Sequence, residues 1–87
     1  MTKETTEIEI LFEEDGDHTE ARASIMIRGA TFTGSGRSRR NPSDPEVPMV
    51  GEELAAARAL SDLAHKLVEA AAEAISGREG RPARLTN

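Results

Sequence analysis

Between Thr6 and Glu13 the chain alternates, with Ile8, Ile10 and Phe12 on one side and Glu7, Glu9, Leu11 and Glu13 on the other. That period of two marks a half-buried β-strand. Asp15-Gly16 follows and suits a two-residue type I′ hairpin turn. Placed there, the turn sets Ile10 opposite Ala21 and Ile8 opposite Ala23. A second strand then runs through Ile25 and Ile27, and a turn at Gly29-Ala30 leads into a third, TFTGSGRS. This second turn predicts Ile27 opposite Phe32, Ile25 opposite Gly34 and Ala23 opposite Gly36. Two inward glycines beside an alanine make a trough where another element can approach closely.

The period changes after Gly51. Ala57, Leu60, Leu63, Ala64, Leu67, Val68, Ala71 and Ile75 recur at three-and-four spacing, which predicts a helix from Gly51 to Ser76 lying on the sheet. Arg58, Asp62, Lys66, Glu69 and Glu73 fall on its other side, with Arg58/Asp62 and Asp62/Lys66 as i,i+4 pairs. Glu52 and Glu53 suit the positive end of the helix dipole in the first turn. Pro42, Pro45 and Pro48 keep the preceding connection out of helix. Val47, Met49 and Val50 anchor that connection, with Val50 near Leu54 as a staple. The expected architecture is α+β: a three-stranded antiparallel β-meander followed by one long C-terminal α-helix packed on one face. Residues 1–76 form this single β-β-β-α domain, and 77–87 read as a polar, disordered tail.

Composition narrows the function. With 87 residues and Phe12 and Phe32 as the only aromatics, the core is thin and a large catalytic cleft is not expected. Oligomerisation is a common remedy for such a core. The chain has no cysteine, so it has neither disulfides nor a thiolate metal site. No apolar run approaches the ~20 residues of a membrane helix, and a cytoplasmic, non-membrane protein is the expectation. No serine has a histidine at a spacing that makes a nucleophile, and no GxxxxGK loop cradles phosphate. EEDGDHTE fits a hairpin turn better than a calcium loop, and His18 and His65 lie in unrelated elements. The expectation is therefore no enzyme, cofactor, metal or small-molecule substrate.

The charge pattern raises a sharper question. The net charge is −5, yet no carboxylate occurs from Ala21 to Arg40, where five arginines stand. On one reading Arg22, Arg37, Arg39 and Arg40 form a phosphate-binding patch, because the guanidinium fork matches phosphate oxygens. On the other they are internal braces: Arg22, Arg37 and Arg39, with Arg22 set across from Arg37, pair with Glu7, Glu9 and Glu13 of the first strand, Glu9 sitting across from Arg22, while Arg40 reaches Glu52 and Glu53. No exposed aromatic offers a stacking platform and the helix opens GEE, so RNA contact would be electrostatic and shape-based. The third strand, with Thr31, Thr33 and Ser35 at a weakly guarded edge, is the candidate edge for pairing with its own copy in a homodimer.

Gly34, Gly36, Arg39-Arg40-Asn41-Pro42, Asp44, Val47-Pro48, Gly51 and Glu53-Leu54-Ala55 through Leu63-Ala64 carry a resemblance. In these residues the chain resembles a family of small actinobacterial proteins of unknown function whose fold is likened to the double-stranded RNA-binding domain. The match runs over residues 8–76. The resemblance implies a strand-strand-strand-helix fold, frequent dimers, and mycobacterial members associated with dormancy and hypoxia. It also implies a likeness to ribosome hibernation factors. The function expected on this basis is a stress or dormancy factor that associates with the ribosome or RNA through the arginines. The alternative is a homodimeric protein-protein interaction module without nucleic-acid binding.

Overall fold

The computed structural model describes residues 2–41 and 48–79. Three strands, β1 (Ile8–Asp15), β2 (His18–Ile27) and β3 (Ala30–Arg39), form an antiparallel sheet in the order β1-β2-β3, and one helix, α1 (Pro48–Glu79), follows. This is the α+β meander-plus-helix that the hydrophobic pattern predicts. The connection at residues 42–47 and the tail from residue 80 lie outside the described residues. Gly77 to Glu79, assigned to the tail by sequence, are the helix's last residues.

Both hairpins are displaced by two residues from the expected register. Ile8 faces Ile25, Ile10 faces Ala23 and Phe12 faces Ala21, so the first loop is Gly16-Asp17. Gly16 has φ 61° and Asp17 does not have a positive φ, the sign pattern of a type II′ turn with glycine in its first central position. The second loop is Arg28-Gly29, with φ 49° and 83°, both left-handed as in type I′. Phe32 therefore faces Ile25, Gly34 faces Ala23 and Gly36 faces Ala21. A shift of two preserves which face each side chain occupies and changes only its neighbours.

The helix begins three residues earlier than expected. Pro48 is its first residue, a position where a missing N–H costs nothing and the ring's fixed φ is already helical. Glu52 and Glu53 consequently fall in the second turn, and the first turn has no acid.

Ala21, Ala23 and Ile25 of β2 and Ala55, Ala59 and Leu63 of α1 make the buried core, with Ile10, Phe32 and Leu67 packed around them. The buried stripe is thus Ala55-Ala59-Leu63-Leu67. Of the expected core positions, Ala57, Leu60, Ala64 and Ala71 are exposed. The glycines explain the rotation. A Cβ on Gly34 would strike the backbone of Ala59 and Leu63, and one on Gly36 the backbone of Ala55 and Ala59. Helix backbone rests directly on strand backbone there, and only alanine-sized side chains fit beside such a contact.

At the other end of the trough the buried hydroxyl of Ser38, opposite Thr19, donates to the carbonyl of Gly51 at 2.7 Å. This ties the helix start to the sheet. At ~1.5 Å per residue the 32-residue helix is about 48 Å long, against about 33 Å for a ten-residue strand.

Candidate functional site

The face of the sheet away from the helix is a grid of side chains fixed by the register. Across it run Asp15, His18 and Arg39; then Glu13, Glu20 and Arg37; then Leu11, Arg22 and Ser35; then Glu9, Ser24 and Thr33. Arg22, Arg37 and Arg39 therefore share one face, as the alternation requires. Arg22 lies across from Ser35 and not from Arg37 or Glu9. Leu11, Glu13, Glu20, Arg22, Ser35 and Arg37 line a shallow dish of ≈ 300 Å³.

Two of the four candidate arginines are braced, by acids other than those expected. Arg37 contacts Glu20 at 2.8 Å, an exposed pair directly across the β2–β3 ladder. Arg40 leaves this face altogether. Its guanidinium bonds Asp17 in the first hairpin loop at 2.7 Å, and its backbone N–H donates to the Asp17 carbonyl at 2.8 Å. Glu52 and Glu53 are not its partners in that pair. Arg22 and Arg39 are exposed and form no ion pair among the described residues. The face is mixed in sign, with Glu9, Glu13 and Asp15 of β1 beside them.

Three backbone groups on the outer edge of β3, the edge expected to pair with its own copy at Thr31, Thr33 and Ser35, are engaged by the helix. The Ser35 amide donates to Asp62 Oδ2 at 2.9 Å, Lys66 Nζ donates to the Thr33 carbonyl at 3.0 Å, and Arg58 donates to the Arg37 carbonyl at 2.7 Å. Three helix side chains thus occupy three of the backbone groups that a second β3 would use. Thr33 also sits hydroxyl to hydroxyl with Ser24 at 3.4 Å. Thr31, exposed, lies beyond this clamp. Sequence places Arg58, Asp62 and Lys66 on the solvent side of the helix, whereas they stand at the rim of its buried stripe and reach around the strand. Of the two i,i+4 pairs expected, Asp62/Lys66 forms at 3.1 Å, while Arg58 goes to β3.

Asp62 is held below the usual carboxylate range, first by the Ser35 amide and then by the hydrogen bond and charge of Lys66. His65 stands 3.3 Å from Glu69 one turn on. Among the described residues no group of three or more His, Asp or Glu side chains is placed to hold a metal ion.

The surface that sequence reasoning missed lies on the helix side of β1. The helix packs on β3 and β2 and scarcely reaches β1. Ile8 (46% exposed), Phe12 (37%) and, on the helix, Leu60 (37%) are left open, with Ile10 only half-buried. The sequence held a signal for this: one helix of ~10 Å diameter cannot span three strands ~4.8 Å apart together with their side chains. No helix among the described residues is long and apolar enough to cross a membrane.

Comparison with known proteins agrees with this fold. A crystal structure of Rv2632c superposes with a TM-score of 0.85 at 36% identity, covering 94% of this chain and 98% of that one. The uncharacterized protein Rv2632c of Mycobacterium tuberculosis is 44% identical over 63 residues, 72% of this chain and 68% of its own. The uncharacterized protein Mb1767 of Mycobacterium bovis is 37% identical over 78 residues, 90% of this chain and 83% of its own. The sequence profile of the Rv2632c-like family matches residues 4–84, and the chain belongs to that family.

Proposed function

We propose that this protein is a non-catalytic interaction module that docks a protein partner against the helix side of β1. The observation that carries the reading is the exposure of Ile8 and Phe12 on β1, the strand the helix scarcely reaches, and of Leu60 on the helix itself. In a chain this small, apolar side chains left open beside the core are the surface a partner covers with the greatest gain. The clamp of β3 by Arg58, Asp62 and Lys66 supports the same side of the molecule, because it removes the opposite edge from use. Pairing of β3 with its own copy at Thr33 and Ser35 would first have to displace Asp62 and Lys66 from these groups.

A second reading rests on Arg22 and Arg39, which are exposed and have no ion pair among the described residues. They suit phosphate, and through it the ribosome or RNA in a stress or dormancy role. Arg37 and Arg40 contribute less to this reading, since each is engaged by an acid of its own.

One experiment separates the two. The wild-type protein, Phe12→Glu and Arg22→Glu/Arg39→Glu are immobilised and used to capture material from a cell extract across a salt series. A protein retained by wild type and by the arginine variant but lost from Phe12→Glu is the expected result. Ribosomal particles that bind with a steep salt dependence and are lost only from the arginine variant would overturn it in favour of the second reading.

A further inference from the structure

We infer that β1 accepts an additional β-strand from another protein, and that this strand alternates apolar with basic residues. The inference rests on the interaction-module reading and names its partner class. It begins with the ladder. Ser35 turns its amide to Asp62 and so away from its β2 neighbour, Arg22. In an antiparallel ladder the backbone groups of alternate residues point to opposite sides. Arg22 therefore bonds across to Leu11, and the amides and carbonyls of Ile8, Ile10, Phe12 and Glu14 point to the open edge of β1. Among the described residues, no backbone hydrogen bond runs from that edge to another part of the chain.

The two faces of this edge differ in chemistry. On the helix side Ile8 and Phe12 are exposed and Ile10 is half-buried, leaving apolar surface that alternate side chains of an added strand would cover. On the other side Glu7, Glu9, Glu13 and Asp15 surround Leu11, and none of these acids has an ion pair among the described residues. An added strand ~4.8 Å from β1 sets its outward side chains directly beside these carboxylates. Lysine or arginine there is favoured and glutamate is rejected.

The same carboxylates disfavour a second copy of this chain at the edge. An antiparallel β1 pair centred on Leu11 puts Glu9 opposite Glu13 twice, and a pair centred on Ile10 puts Glu7 opposite Glu13. Like charges placed directly across a ladder are destabilising. With three groups of the β3 edge taken by the helix and β1 self-pairing disfavoured, the β1 edge is better suited to a different chain. The binding mode is strand addition, in which backbone bonds give affinity and alternate side chains give specificity.

The test uses the whole protein, labelled for NMR, and nine-residue peptides of alternating valine and lysine. Two controls have the same composition in two blocks, or glutamate in place of lysine. A further pair is N-methylated along one edge or the other. The expected result is saturable binding of the alternating lysine peptide, with slowed amide exchange at Ile8, Ile10 and Phe12. Binding should weaken at least tenfold in Glu9→Lys/Glu13→Lys, and it should vanish for one member of the N-methylated pair while the other member still binds.

Equal binding of the block peptide, or equal loss from N-methylation on either edge, would overturn strand addition and leave simple charge attraction. Absence of peptide binding, with the Phe12-dependent partner still captured, would overturn this inference while the module reading stands. Shifts confined to Arg22 and Arg39 on adding an RNA oligonucleotide, with none from peptide, would overturn both.

Discussion

The backbone amide of Ser35 donates to the carboxylate of Asp62 at 2.9 Å, so a helix side chain stands where the carbonyl of a neighbouring strand would otherwise be. Lys66 and Arg58 complete the substitution by donating to the Thr33 and Arg37 carbonyls. An edge strand is a template for unwanted pairing, and here the helix that supplies the core also covers the edge. The sheet keeps one open edge, at β1, next to the apolar strip that the helix leaves bare.

Asp62 should therefore give the protein an acid-sensitive limb. Its folded-state pKa is lowered from the ordinary 3.8, chiefly by the Ser35 amide and then by Lys66. A group whose pKa is depressed on folding contributes stability above its unfolded pKa and loses it as pH falls through the folded value. Urea midpoints of wild type and Asp62→Ala should differ most at neutral pH and converge below 3.8. Asp62→Asn, which keeps an acceptor for Ser35, should lie between them. A constant difference between wild type and Asp62→Ala down to the acid limit would show that the carboxylate's charge is not what matters.

The glycines of β3 should tolerate no side chain. Gly34→Ala and Gly36→Ala push a methyl group into helix backbone at Leu63 Cα and Arg58 C, 2.7 and 2.8 Å from the added carbon. Neither is the end of a flexible side chain. Overpacking of this kind typically costs ~1–3 kcal/mol, which in a domain this small lowers Tm by several degrees or more. Gly77, in the last turn of the helix with nothing within 4 Å of an added Cβ, is the internal control. Gly77→Ala should be neutral or stabilising by up to ~1 kcal/mol. Thermal melts of the three variants decide it.

What the sequence made legible, and what it hid, follows from the same residues. The period of two assigned every strand residue to its correct face, because Ile8, Ile10 and Phe12 cannot change sides without exposing all three. The turn positions were not legible. A glycine supplies positive φ at either central position of a two-residue turn, so Gly16 and Gly29 each fit two registers differing by two residues. The observed register uses Gly16 first in its loop and Gly29 second in its loop.

The buried stripe of the helix differs from the expected one because apolar residues recur at helical spacing on neighbouring stripes, and the pattern alone does not choose between them. Gly34 and Gly36 admit helix backbone, so the residues flanking the contact are Ala55 and Ala59, while the bulkier Leu60 remains partly open. Among the candidate site residues, the shared face of Arg22, Arg37 and Arg39 was legible from alternation. Their partners were not, since those depend on register. The clamp by Asp62 and Lys66 was hidden because an i,i+4 pair on a helix reads the same whether it faces solvent or a strand edge.

Arg28 marks a place where the fold can be improved. Its φ of 49° puts a non-glycine residue in the left-handed region at the first position of a type I′ turn, which for a residue with a long side chain costs roughly 1–2 kcal/mol. Asparagine is much better suited to that conformation, and Asn-Gly is the preferred pair for the turn. Arg28→Asn should raise the urea midpoint by the equivalent of about 0.5–1 kcal/mol without changing the slope of the transition. No rise would place the strain elsewhere in the hairpin.

The arginines themselves can be sorted into braces and free groups by coupling energies. Arg40 and Asp17 are both about two-thirds buried, at 31% and 34% exposure, and they join the start of the chain's excursion toward the helix to the first hairpin loop. Arg37 and Glu20 are 69% and 54% exposed. Exposed pairs are worth little because solvent screens them and two long side chains must be ordered. A double-mutant cycle on Asp17→Ala and Arg40→Ala should give a coupling of about 1 kcal/mol, against a few tenths for Glu20→Ala and Arg37→Ala. Arg22→Ala and Arg39→Ala, with no ion pair among the described residues to lose, should change stability by less than ~0.5 kcal/mol. If Arg22 or Arg39 instead matched the cost of Arg40, the free guanidinium groups of the sheet face would be structural. The phosphate reading would then lose the observation on which it rests.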